Sequence, residues 1–260
     1  MTPTDTAIAT DTATGVPATE TFTAVSTGTA TATFTATITA TPPVCPVFTD
    51  VQPGSTFYDY VRCLACHGVV SGYSDGTYRP NDPISRGQIA KIVSNAAGFD
   101  EDPGEQIYSD VPPGSTFYDF INRLTNRGIV GGYPCPQRPG GGDECTPANP
   151  GLFRPNAFAT RGQLSKIVSN AAGFSEAVRG QYFADVPPTG EGSQFYEWIM
   201  RLANRNVISG YQCGTTDSRS GPCDEHYSPY FRPGNAVTRG QAAKIVANTF
   251  FRNCQSAGRR

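Results

Sequence analysis

Residues 72–99 read GYSDGTYRPNDPISRGQIAKIVSNAAGF, and the stretch returns twice, as FRPNAFATRGQLSKIVSNAAGF over 153–174 and FRPGNAVTRGQAAKIVANTFF over 231–251. A segment written three times predicts three equivalent units that must stack to bury one core. In each copy the apolar residues fall at helical spacing: Ile89, Ile92, Val93, Ala96; Leu164, Ile167, Val168, Ala171; Ala242, Ile245, Val246, Thr249. Ser85, Thr160 and Thr238 each precede a glutamine by three residues (Gln88, Gln163, Gln241), which is the spacing of a capping box. A helix is expected to start directly after each hydroxyl.

Each copy also has an upstream half. Phe48-Thr49-Asp50-Val51 returns as Tyr108-Ser109-Asp110-Val111 and as Phe183-Ala184-Asp185-Val186, followed by the aromatic pairs Phe57-Tyr58, Phe117-Tyr118 and Phe195-Tyr196. Phe57, Tyr60, Val61 and Leu64 form one apolar helical stripe, matched by Phe117, Phe120, Ile121, Leu124 and by Phe195, Trp198, Ile199, Leu202. Gly68, Gly128 and Asn206 stand where a left-handed residue ends a helix. The unit is therefore helix, turn-rich connector, helix. Copies two and three detour through Pro134 to Leu152 and Gln212 to Tyr230, while copy one has the short Ser74-Asp75-Gly76-Thr77 turn. Such growth belongs to loops on a rigid scaffold. These detours are expected to cover two of three inter-repeat surfaces, leaving that of copy one the most open.

The cap accounts for Ser/Thr and Gln but not for Arg86, Arg161 and Arg239 between them. A guanidinium at a helix N-terminus opposes the helix dipole by roughly 0.3–1 kcal/mol. Two uses fit: an anion site built from helix-terminal amides and the guanidinium fork, or a brace between neighbouring repeats. The first is favoured, with each arginine exposed at its helix start. Asp50, Asp110 and Asp185 suit glycan hydrolysis in principle, but an Asp shortly before a helix in a Pro/Gly-rich stretch reads more simply as a turn or cap residue.

With F-x-D, an amphipathic helix ending in G-(V/I)-(V/I)-x-G-Y, then D-G-T-Y-R-P and (S/T)-R-G-Q, the chain from Val47 to about Phe251 resembles the S-layer homology (SLH) domain family. The resemblance implies a mainly α fold: three tandem helix-loop-helix repeats in a pseudo-threefold unit with a central three-helix bundle. It implies binding of acidic, commonly pyruvylated, cell-wall polysaccharide in grooves between repeats, holding exported proteins on the cell surface. By position, Arg86, Arg161 and Arg239 would grip the acidic sugar, Gln88, Gln163 and Gln241 stand where the family has Glu, and Gly72-Tyr73, Gly132-Tyr133 and Gly210-Tyr211 would line the grooves. Here Gly-Gln replaces the usual Ala-Glu in all three copies, which makes each groove one unit more positive. Tyrosine suits sugar stacking.

The expected organisation is a Thr/Ala/Pro-rich stalk over 1–43, repeats over 44–104, 105–179 and 180–254, and a tail over 255–260. From Thr27 to Thr41 every second residue is threonine, and before Val44 the only charges are Asp5, Asp11 and Glu20. That alternation could form a strand, but so little apolar surface favours a disordered, extended stalk. The opening residues show no export-signal pattern, and a part of a longer exported protein is expected. A net charge of -2 argues against nucleic-acid binding, and no apolar run is long enough for a membrane helix.

Eight cysteines beside such a stalk point to an oxidising, extracellular location. Cys135 and Cys145 flank the copy-two detour and Cys213 and Cys223 the copy-three detour, so each pair is expected to close its loop. Cys45 and Cys254 are expected to bridge to Cys63 and Cys66, in either combination. Cys63, Cys66 and His67 spell C-x-x-C-H, the spacing of c-type haem attachment, yet they align with ordinary helix-end residues of the other copies. No haem, other cofactor or metal is therefore expected. With two histidines, and no G-x-S-x-G, H-E-x-x-H or phosphate-binding loop, the chain reads as a non-catalytic anchor. The competing readings are a module that binds other surface-layer proteins and, less favoured, a glycan-acting enzyme.

Overall fold

The computed structural model describes residues 21–25, 33–37, 45–135, 145 and 151–255. The chain divides into two compact units, Met1–Val44 and Cys45–Arg260. In the first, β1 (Thr21–Val25) pairs antiparallel with β2 (Thr33–Thr37), Thr23 opposite Thr35. The threonine alternation thus takes up strand structure over β2. Among the described residues of this unit the hairpin has no second layer to pack on. The rest of the stalk, the tail after Gln255 and most of the copy-two detour lie outside the described residues.

Among its described residues the second unit has six α-helices in pairs: α1 (Tyr58–Cys66) and α2 (Arg86–Ala96), α3 (Tyr118–Asn126) and α4 (Arg161–Ala171), α5 (Tyr196–Asn204) and α6 (Arg239–Phe250). As the spacing predicts, Ser85, Thr160 and Thr238 open α2, α4 and α6 with complete capping boxes. Gly68, Gly128 and Asn206 follow the other three helices at φ 67°, 68° and 58°.

The helices α2, α4 and α6 pack on one another as a central bundle, with Ile89, Leu164 and Val246 essentially inaccessible. Each outer helix packs on the central helix of the preceding repeat: α3 on α2, α5 on α4, and α1 on α6. That last pairing joins the first repeat to the third and closes the ring. Where the three segments entering the caps meet, the backbone forms a cycle: Ile84 N–H donates to Val237 O (3.0 Å), Val237 to Ala159 O (3.0 Å), and Ala159 to Ile84 O (3.1 Å). These three side chains are fully buried, so the bonds are shielded from competing water.

Asp50, Asp110 and Asp185 have a role beyond a local turn. Each carboxylate accepts two backbone amides from the aromatic-arginine pair further along its own repeat: Tyr78 and Arg79, Phe153 and Arg154, Phe231 and Arg232, at 2.6–2.8 Å. Arg79, Arg154 and Arg232 have φ of 59–60°, a left-handed conformation costly for a residue with a Cβ. The paired charge-assisted bonds offset that cost.

Four disulfides are present: Cys45–Cys66, Cys63–Cys254, Cys135–Cys145 and Cys213–Cys223. The two loop pairs match the spacing argument, and the two chain-end cysteines are resolved onto different helix partners. Both sulfurs of the C-x-x-C-H segment are thereby consumed. Cys63, His67 and Cys254 cluster within 4.8 Å, but disulfide sulfurs are not the thiolates a metal requires.

Candidate functional site

The grooves lie where the start of one central helix meets the neighbouring repeats. In the first, Tyr73, Gln88 and Lys91 of repeat one face Thr116 and Phe117 of repeat two and Arg239 of repeat three, around a cavity of about 180 Å³. In another, Tyr211, Gln241 and Lys244 of repeat three face Phe57 of repeat one and Arg161 of repeat two, around about 200 Å³. The residues aligned by the sequence thus converge, but the arginine in each groove comes from a different repeat than the Gly-Tyr pair.

The arginines are not exposed helix-start residues. Arg86, Arg161 and Arg239 are only 5–7% accessible. Arg86 Nε donates to Phe153 O at 2.8 Å and Nη2 to Gly131 O at 3.1 Å; Arg161 Nε reaches Phe231 O and Arg239 Nε reaches Tyr78 O, both at 2.7 Å. Each guanidinium therefore ties its repeat to the next, and the brace reading of the sequence is correct for these bonds. Burial pulls the pKa of Arg86 and Arg161 downward. It also pushes the Tyr78 phenol up to about 12.

The helix-terminal amides are not free for an anion either. The amides of Arg86 and Gly87 donate to Ala157 O and Pro155 O, those of Arg161 and Gly162 to Asn235 O and Pro233 O, and those of Arg239 and Gly240 to Asp82 O and Pro80 O. The third amide of each helix goes to its own cap. Neighbouring repeats thus consume the donors that would otherwise have made an anion site.

The glycine after each arginine has a steric reason. A Cβ at Gly87, Gly162 or Gly240 would stand 2.7–2.8 Å from Cγ of Phe117, Phe195 or Phe57. Gly72, Gly132 and Gly210 admit close approach by the Phe48, Tyr108 and Phe183 rings and by a carbonyl oxygen that would lie 2.6–2.7 Å from any Cβ added there. They place the next residue, tyrosine, at the groove wall.

Each of those tyrosines carries two guanidinium groups over its ring: Arg79 (4.1 Å) and Arg239 (4.9 Å) at Tyr73, Arg154 (4.8 Å) and Arg86 (5.0 Å) at Tyr133, Arg219 (4.5 Å) and Arg161 (4.9 Å) at Tyr211. Their π surface is engaged by cations, which leaves the hydroxyl as the groove-facing chemistry. Gln163 Nε2 donates to Tyr133 Oη at 3.4 Å and Gln241 Nε2 to Tyr211 Oη at 3.0 Å. The amide orientation is fixed, because each Oε1 already accepts a backbone N–H in the capping box. The tyrosine oxygen is then an acceptor, and its proton is available to a ligand.

Two sets of groove residues escape the alignment-based reading. One is Lys91 and Lys244, which with Lys166, set over the Trp198 ring at 4.6 Å, are the chain's only lysines, one per repeat at the same helical position. That recurrence was the available signal. The other is Arg219, on the copy-three detour. In copies one and two the arginine of the Arg-Pro pair lies over the groove tyrosine; in copy three Arg232 turns to Tyr230 and donates to Arg219 O (2.8 Å) and Ser220 O (2.6 Å). Arg219 takes the vacated place, held by Asp217 at 2.6 Å. The copy-three detour thus supplies a cation to its groove and does not cover it.

This geometry defines a module built from three repeats, with shallow cationic grooves between them. The family model described as the S-layer homology domain matches residues 47–90, 107–134 and 183–243. The chain belongs to the S-layer homology domain family. The match breaks off at the copy-two detour, although α4 beyond it repeats the geometry of α2 and α6.

The chain is 26% identical over 188 residues to cell surface glycoprotein 1 of Acetivibrio thermocellus, covering 67% of this chain and 7% of that protein. It is 28% identical over 111 residues to the surface-layer 125 kDa protein of Lysinibacillus sphaericus, covering 43% and 8%. A third relative, an uncharacterized cell wall amidase of Bacillus anthracis, is 24% identical over 190 residues, covering 73% and 30%. The chain therefore spans a minor part of each relative's length. Among the described residues, no helix is long and apolar enough to cross a membrane.

Proposed function

We propose that this chain is a non-catalytic cell-surface anchoring module whose inter-repeat grooves bind an acidic cell-wall polysaccharide. Membership of the S-layer homology family and the surface-layer relatives support surface anchoring. The observation that carries the ligand class is the lining of the grooves. Arg161, Arg219 and Lys244 line the Tyr211 groove and Lys91 and Arg239 the Tyr73 groove, with no carboxylate among the described lining residues of either. Such a surface attracts a polyanion and has hydroxyl and amide donors for sugar oxygens. The arginines serve both as braces and, through donors not spent on carbonyls, as part of the groove wall.

An enzymatic role gains no support from the repeated aspartates, since each is committed to two backbone amides. The test is co-sedimentation of the repeats with purified Lysinibacillus sphaericus walls before and after extraction of wall polysaccharide, and with carboxyl-reduced polysaccharide as competitor. Binding that disappears on extraction, and that only the native polymer competes for, supports the proposal. Binding that survives extraction in the presence of surface-layer protein would instead support a protein-binding lattice module.

A further inference from the structure

Beside the Tyr73 groove lies a second cleft of about 440 Å³ that shares Tyr73, Gln88 and Phe117 with it and adds Asp82, Asn156 and Phe158. Phe158 is 64% exposed. Its backbone forms a bridge with Ser85, which fixes the ring beside the cap of α2. The aligned positions in the other repeats hold Pro83 and Ala236, so this aromatic belongs to one site and not to the threefold framework. Left largely exposed, the ring adds little to the core, and its place is set by the cleft it lines.

The two clefts differ in charge. Lys91 and Arg239 line the first with no carboxylate among its described lining residues, whereas Asp82 lines the second with no cation among its own. A chain of sugars lying across both would place an acidic residue on Lys91 and an uncharged one over Phe158. There the ring meets sugar C–H groups while Asp82, Asn156 and Gln88 meet hydroxyls. We infer that the Tyr73 groove extends into a second saccharide subsite for a neutral sugar adjoining the acidic one, with Phe158 as its stacking platform. This inference rests on the polysaccharide reading above.

The experiment measures binding of size-fractionated fragments of Lysinibacillus sphaericus wall polysaccharide to the parent chain, Phe158→Ala and Phe158→Trp by isothermal titration, with resonances of [13C]tyrosine-labelled protein reporting Tyr73. For the parent, affinity should rise from the shortest acidic fragment to those carrying an adjoining neutral sugar. Phe158→Ala should lose about tenfold on the longer fragments, the scale of one aromatic contact. It should bind the shortest fragment like the parent and keep its melting temperature, while Phe158→Trp should retain the length dependence. Equal length dependence in the parent and Phe158→Ala overturns the subsite and leaves the polysaccharide reading standing. Absence of binding and of any tyrosine response in the parent overturns both.

Discussion

Arg239 Nε donates to the carbonyl oxygen of Tyr78 at 2.7 Å, joining residues 161 positions apart. Both side chains are buried, and the Tyr78 hydroxyl donates in return to Arg239 O at 3.3 Å. The third repeat is thereby fastened to the first. Arg239→Ala should therefore lower stability by roughly 2–3 kcal/mol, because a charge-assisted bond is lost and a buried carbonyl is left unpaired. Thr238→Ala, which removes only a cap, should cost about 1 kcal/mol. Chemical denaturation of the two variants checks the order. An Arg239→Ala protein as stable as its parent would disprove the brace.

Glycine to alanine in a helix is normally favourable by roughly 0.5–1 kcal/mol. At Gly240 the sign should reverse, since a Cβ would stand 2.7 Å from Phe57 Cγ at the closure between repeats three and one. Overpacking of this kind costs about 1–3 kcal/mol. Thermal melts of Gly240→Ala should show destabilisation, and Phe57→Leu in the same chain should recover part of it. A rise in melting temperature for the single variant would refute the contact.

Gln241→Glu keeps the capping acceptor but brings a negative charge beside Tyr211, Arg161 and Lys244. It should weaken binding to native wall polysaccharide roughly fivefold or more while leaving the weak binding of carboxyl-reduced polymer unchanged. Arg219→Ala should act in the same direction and selectively silence the Tyr211 resonance in a titration, with Tyr73 responding as in the parent. A Tyr211 response unchanged by Arg219→Ala would remove the detour's arginine from the groove.

Asp217 is held to a pKa of about 2, chiefly by its hydrogen bonds to Arg219. A carboxylate depressed in the folded state contributes stability above its unfolded value near 4, and that contribution is lost as pH falls toward 2. The detour of repeat three should therefore keep its arginine over Tyr211 at pH 4 and release it only as pH falls through about 2. The carboxyl carbon shift of Asp217 measures this directly, and a midpoint near 4 would contradict the pairing.

Cys63–Cys254 joins residues 191 apart, against 10 for Cys213–Cys223. On the chain-entropy model the first closure is worth about 5 kcal/mol and the second about 3 kcal/mol. Cys254→Ser should thus lower the melting temperature more than a paired Cys213→Ser, Cys223→Ser replacement. Non-reducing peptide maps should recover all four pairs. The oxidised protein, with both C-x-x-C-H sulfurs bonded, should show no Soret band when co-expressed with haem-attachment machinery.

The sequence by itself determined the helices, their caps and the loop disulfides, because these depend on local spacing. Ser85 with Gln88, the Ile89 stripe and the stop at Gly68 are each readable within one or two turns of chain. Only the tertiary structure decided what Arg86, Arg161 and Arg239 do, since their partners are backbone carbonyls of another repeat and carry no residue-type signature. The same holds for Asp50, whose carboxylate is met by the amides of Tyr78 and Arg79, and for Gly87, whose reason is a ring in the next repeat. Lys91, Lys166 and Lys244 were legible as the chain's only lysines, but the place of Lys91 and Lys244 in the grooves needed the ring to close. Arg219 was not legible, because equivalent positions in space are filled there by non-equivalent positions in sequence. Threefold stacking is what converts local helix starts into grooves, and stacking is a property of surfaces that no single repeat contains.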